Sequence, residues 1–114
     1  MAEKTRTQVA AQALYILQEY PLQPDVHCFI IVETHYVYLR YRRCDLPFRL
    51  DASVDPAKLI KLAEAIKPNY LSPLKLALVE YTNERGEPCA WFTATFWKDW
   101  QSCTRAFAEY ANLV

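Results

Sequence analysis

Glycine is nearly missing from this chain: Gly86 is the only one in 114 residues, where an average chain of that length carries about eight. Loops that cradle phosphates need glycines so that backbone N–H groups can approach closely. A P-loop and a dinucleotide fingerprint are both excluded. Net charge is missing too, with 13 basic residues against 13 acidic. A protein that binds by neutralising phosphates needs a basic surface, and none is available globally.

Long apolar runs are also lacking. None approaches the roughly 18 residues that cross a bilayer, and the polar start Met-Ala-Glu-Lys-Thr-Arg has no apolar segment of the kind a signal peptide requires. The expectation is a cytoplasmic chain without a membrane partner. Cys28, Cys44, Cys89 and Cys103 form no C-x-x-C pair, so they read as reduced, mostly buried thiols.

Groups that converge for catalysis are scarce. His27 and His35 are the only histidines. Cys28 adjoins His27, but neighbours on a strand point to opposite faces and cannot pair as nucleophile and base. Ser53, Ser72 and Ser102 are the only serines, and none sits in a Gly-x-Ser-x-Gly turn. The paired ligand spacing of a zinc site is absent. A non-enzymatic protein with no cofactor and no metal is expected.

What the chain does have is apolar content: 53% hydrophobic and 14% aromatic. One folded domain over residues 1–114 is expected, since such content offsets the entropy of ordering the backbone. Residues 7–20 read as a helix from Val9, Ala13, Ile16, Leu17 and Tyr20, capped by Thr5 or Thr7 and ended by Pro21. Residues 25–33 and 36–43 read as a hairpin turning near Thr34 and His35, and Phe48 to Leu50 as a short edge strand. Asp55 and Pro56 open a second helix whose buried stripe is Leu59, Ile60, Ala63 and Ile66. Residues 73–81 and 89–97 read as a second hairpin, turning at 83–86 with Gly86 left-handed. A last helix follows Asp99, with Trp100, Cys103, Phe107 and Ala111 on one stripe.

The order α-β-β-(β)-α-β-β-α predicts an α+β fold: a single antiparallel sheet of about five strands with three helices against it. That order, together with the closing amphipathic helix from Phe96 to Val114, resembles the secretion-chaperone-like fold of type III secretion chaperones and YbjN-like proteins. The resemblance implies a small cytosolic chaperone or adaptor.

Two surfaces stand out for binding. On the second strand Tyr36, Tyr38, Arg40 and Arg42 alternate and share one face, with Arg49 nearby, while Val37, Leu39, Tyr41 and Arg43 share the other. Tyrosine and arginine together mark protein interfaces and single-strand nucleic-acid platforms, or simply a solvated sheet face. On the fifth strand Trp91 and Trp97 would share a face with Cys89, Thr93 and Thr95. That face suits a partner groove, or is covered by the terminal helix. Both faces of this strand are apolar, so a second copy of the chain is expected to cover what the helices do not. The reading is a homodimeric protein-binding module, either a small chaperone or adaptor or a phage- or mobile-element-encoded inhibitor acting by steric occlusion. The alternative is a nucleic-acid-binding module using the Tyr/Arg face.

Overall fold

The computed structural model describes residues 3–50 and 54–111. Its elements are helix α1 (Glu3–Glu19), strands β1 (Asp25–Val32) and β2 (His35–Arg42), helix α2 (Pro56–Ala63), strands β3 (Asn69–Leu76), β4 (Leu78–Thr82) and β5 (Pro88–Phe92), and helix α3 (Ala94–Ala111). A short 3-10 turn spans Arg43–Asp45. The fold is α+β, as the sequence indicates. The strands form two antiparallel sheets, β1-β2-β3 and β4-β5, instead of one sheet of five.

Pro73 and Ala77 account for much of that difference. The span 73–81 reads as one strand but belongs to two, β3 and β4, separated at Ala77. Ala77 turns its N–H to Thr34 O at 2.7 Å and receives Thr93 N–H on its carbonyl at 2.9 Å. Before that break, β3 slips twice against β2, between Tyr36 and Tyr38 and again between Tyr38 and Leu39. Pro73 lacks the N–H a regular ladder needs, so an irregularity here is the local solution. Phe48 to Leu50 forms no strand.

The last helix starts earlier than its sequence suggests. Thr93 to Phe96 is β-branched and aromatic, which mimics strand, yet β5 ends at Phe92 and α3 begins at Ala94. Thr93 decides this: its hydroxyl donates to Leu76 O at 2.8 Å and accepts from Phe96 N–H at 3.2 Å, an N-cap arrangement. Asp99 therefore lies inside the helix and caps nothing. At the other end of the chain α1 already spans Glu3, so Thr5 and Thr7 lie within it.

Helix α2 forms where expected. Asp55 accepts Lys58 N–H at 2.9 Å and Pro56 takes the first helical position. Leu59 and Ala63 are buried, but Ile60 is exposed rather than part of the stripe. The turn between β4 and β5 also matches: Gly86 has φ 77°, and Asn83 Oδ1 accepts from Arg85 N–H and Glu87 N–H, both at 2.9 Å.

The three-stranded sheet is covered on both faces. Val26 and Tyr41 pack with Ala10, Ala13, Leu14 and Leu17 of α1 and Leu59 and Ala63 of α2. The opposite face carries Tyr36, Tyr38 and Phe29 against Phe96 and Cys103 of α3. Phe107 and Ala111, the rest of the expected helix stripe, lie outside the described side chains, as Ser53 lies outside the described residues. No described helix is long and apolar enough to cross a membrane.

Candidate functional site

Alternation on β2 places Tyr36, Tyr38, Arg40 and Arg42 on one face, as the period of two requires. The cross-strand partners on that face are Ile31, Phe29, His27 and Asp25. The tyrosines, however, are not available to a partner. Tyr36 is 0% exposed and Tyr38 2%, because α3 lies over them. Phe29 stacks on Tyr38 with ring centroids 4.7 Å apart, and Phe96 meets Tyr36 edge-on at 5.3 Å. A stacking platform for bases or for a partner's side chains at Tyr36 and Tyr38 is thus overturned by burial. The signal missed in the sequence is the amphipathic start of α3, hidden by its strand-like composition.

The polar ends of these tyrosines are used internally. Tyr36 donates to Asp99 Oδ2 at 2.6 Å, and Ser72 Oγ donates to the same oxygen at 2.5 Å. Burial first, and then the Asp99 hydrogen bond, holds the Tyr36 phenol well above its ordinary value. Tyr38 lies 2.6 Å from His27 Nδ1, and burial pushes its pKa up to about 12. On the other side of the ring, His27 Nε2 lies 3.8 Å from Asp25 Oδ1. This arrangement orients groups inside the fold.

Cys28 does not face His27. It sits on the α1 side, and burial, followed by the nearby Cys103, raises its pKa to about 12. A thiol held protonated at neutral pH is a poor nucleophile. Cys103 is buried and raised in the same direction. Cys28 and Cys89 are half-buried, while Cys44 is exposed, so burial of the thiols is less complete than expected. Among the described residues no three His, Cys, Asp or Glu side chains gather as metal ligands do.

The arginines separate. Arg43 is structural, donating to Leu17 O, Tyr20 O and Gln23 O at 2.6, 3.0 and 3.0 Å, which closes the C-terminal end of α1. Arg42 lies 3.9 Å from Asp45 and lines an open concavity together with Asp25, Arg40 and Arg43, which Asp45 does not enter. Arg49 is exposed and outside that concavity.

Trp91 and Trp97 are both half-exposed, at 52% and 48%, but they do not share a face. On the β4–β5 hairpin Trp91 is opposite Val79, and Phe92 opposite Leu78. Trp97, carried by α3, meets Phe92 edge-on at 5.4 Å, so it lies on the Phe92 side, away from Trp91. Phe92 also stacks on Phe96 at 4.8 Å, and Trp100 stands over Phe96 and Phe29 at 6.1 and 5.6 Å. Phe92 and Trp100 remain 43% and 40% exposed. The result is an aromatic shelf of Phe92, Trp97 and Trp100, rigid on its inner side and open on its outer side. Sequence reading missed Phe92 and Trp100 because it continued the strand through Trp97.

Comparison with family models, with curated proteins and with solved structures yields no match to this chain.

Proposed function

We propose that this chain is a non-enzymatic protein-binding module that docks a protein partner on the shelf formed by Phe92, Trp97 and Trp100. The observation that supports this reading is the combination of exposure with fixed geometry. Each ring is roughly half open, yet each is braced from beneath by Phe96 or Phe29. Rigid aromatic anchors lose little side-chain entropy on binding and dominate interface energies. Large exposed apolar patches on soluble domains mark interaction surfaces.

A small chaperone or adaptor, or an inhibitor that acts by occluding a partner's surface, would use such a shelf in the same way. The buried state of Tyr36 and Tyr38 removes the feature that favoured nucleic acid. Zero net charge leaves no global field for phosphate.

The test begins with capture from the native host by the wild-type chain and by Trp97→Ala/Trp100→Ala in parallel. Proteins that depend on the two tryptophans are identified and the complex is rebuilt from purified components. Each single change is expected to weaken it by about 2 kcal/mol, roughly thirtyfold in Kd. Full affinity in the double variant, at unchanged fold, overturns the shelf as the binding site.

A further inference from the structure

The β4–β5 hairpin bonds to itself through alternate residue pairs. Asn83 N–H meets Glu87 O at 3.0 Å, and Thr93 N–H meets Ala77 O at 2.9 Å. Between these two ends the register is unbroken, and antiparallel pairs alternate between bonded and non-bonded. Tyr81 with Cys89 and Val79 with Trp91 are therefore the bonded pairs. Pro88, Ala90 and Phe92 turn their backbone groups the other way, out of the sheet. Pro88 has no N–H, so the outer edge of β5 presents the N–H and C=O of Ala90 and Phe92 and the C=O of Pro88. Among the described residues no backbone group bonds to any of these, and all three residues are exposed.

The other strand edges are blunted. Strand β3 carries Pro73 and two register slips. On β4, Leu78 N–H already bonds Thr34 O at 3.1 Å, and Glu80 puts a charge at an outward position. On β1, the outward carbonyl of charged Asp25 takes Gln23 Nε2 at 3.0 Å. Charge, proline and irregularity of this kind keep foreign strands off a sheet. Strand β5 has neither charge nor slip, and its one proline stands at the first position.

The side chains on that edge lead to the shelf. Pro88, Ala90 and Phe92 share the face that carries α3, where Trp97 meets Phe92 edge-on. A strand added there sets one side chain beside Phe92, against Trp97, and another, two residues along, beside Ala90. Alanine is short, and its cross-strand partner Glu80 stands directly beyond it, about 10 Å from the added strand at two strand spacings. Glu80 is exposed, and neither ion pair among the described residues involves it.

We propose that an extended segment of the protein partner adds to the outer edge of β5 as a third strand. It places an apolar side chain against Phe92 and Trp97, and a lysine or arginine two residues away reaching over Ala90 to Glu80. This rests on the protein-binding reading and names the form and side chains of the partner. The backbone ladder supplies affinity, and the two side-chain contacts supply selectivity. A third strand is also what a two-stranded sheet lacks. A second copy of β5 does not meet these terms, because Pro-Cys-Ala-Trp-Phe holds no base for Glu80.

The probe is a library of short peptides alternating threonine with valine, leucine, phenylalanine or lysine. Members with an apolar residue and a lysine two positions apart are expected to bind the full chain at about 100 μM or tighter. The best member is remade with N-methyl groups at every second amide, in both phases. One phase is expected to weaken binding about tenfold or more, and the other to leave it unchanged. Ala90→Pro removes an outward N–H and spares the β4–β5 ladder, so it should match that loss at unchanged circular dichroism. Glu80→Gln should abolish the preference for lysine over valine. No binding up to about 1 mM overturns the added strand, as does binding indifferent to both N-methyl phases. Binding of that indifferent kind that is still lost in Trp97→Ala/Trp100→Ala leaves the shelf standing and sinks only the strand. Binding that needs the β5 edge but neither tryptophan supports the strand and overturns the shelf. A dimer in sedimentation that Ala90→Pro converts to the 13.3 kDa monomer gives the edge to a second copy and overturns the proposal.

Discussion

The Tyr36 hydroxyl donates to Asp99 Oδ2 at 2.6 Å, joining the central strand to a helix sixty-three residues later in the chain. Ser72, on the neighbouring strand, donates to the same oxygen at 2.5 Å. One carboxylate oxygen therefore ties β2, β3 and α3 together beneath the aromatic shelf. The irregular register of β3 around Pro73 is what lets Ser72, buried, face that oxygen.

Asp99→Ala is expected to leave two buried hydroxyls without their acceptor. Unsatisfied buried donors cost about 1–3 kcal/mol each, so a total loss of about 2–6 kcal/mol is expected in urea unfolding. Asp99→Asn keeps an acceptor oxygen and should lose about half as much. A loss under about 1 kcal/mol for the alanine change would show that water replaces the carboxylate.

Arg43 fastens the end of α1 through three carbonyl oxygens, those of Leu17, Tyr20 and Gln23. A planar guanidinium reaches several acceptors at once, whereas an ammonium is a point donor. Arg43→Ala is expected to cost about 2–3 kcal/mol, and Arg43→Lys to recover less than half of it. Amide exchange should rise over residues 14–20 in both variants, and equal stability of wild type and Arg43→Lys would refute the fork.

Much of this fold was legible before any coordinates. The β1–β2 hairpin, α1, α2 with its Asp55 cap, and Gly86 in its turn all follow from local chemistry, namely alternation, capping and conformational freedom. What was not legible depends on distant parts of the chain. Thr93 becomes a helix cap only because Leu76 O stands within reach, and Ala77 breaks a strand only because Thr34 and Thr93 claim its N–H and carbonyl. The site followed the same division. Alternation put Tyr36, Tyr38, Arg40 and Arg42 on one face correctly, but whether that face met water or a helix was fixed by where α3 begins. The same few residues separated Trp91 from Trp97.

The β1–β2 turn holds Glu33 at φ 55°, in the left-handed region. For a residue with a Cβ that conformation costs roughly 1 kcal/mol. Glycine adopts it freely but gives the unfolded chain more freedom. Glu33→Gly is therefore expected to raise stability by about 0.5 kcal/mol, and Glu33→Val, β-branched, to lower it by about 1 kcal/mol or more. Thermal unfolding of the two variants side by side checks the opposite signs, and a shared sign would contradict the strain.

Alkaline pH should unfold the protein through its buried acids. Burial raises Cys28 from 9.0 to about 12, and Tyr38 and Tyr41 from 10.0 to about 12. In each case the unfolded chain releases its proton first, so over that interval the folded state binds more protons. Stability then falls as pH rises. The contribution of these groups is complete below about pH 9 and is lost progressively toward about pH 12. Urea midpoints should stay level near neutral pH and drop steadily above about pH 9. Tyr41→Phe, which removes one of these buried protons at little change in shape, is expected to make that decline shallower. Tyr15→Phe, on an exposed ring, is expected to leave it unchanged. If both changes shift the alkaline limb alike, general charge repulsion and not these buried groups governs the loss.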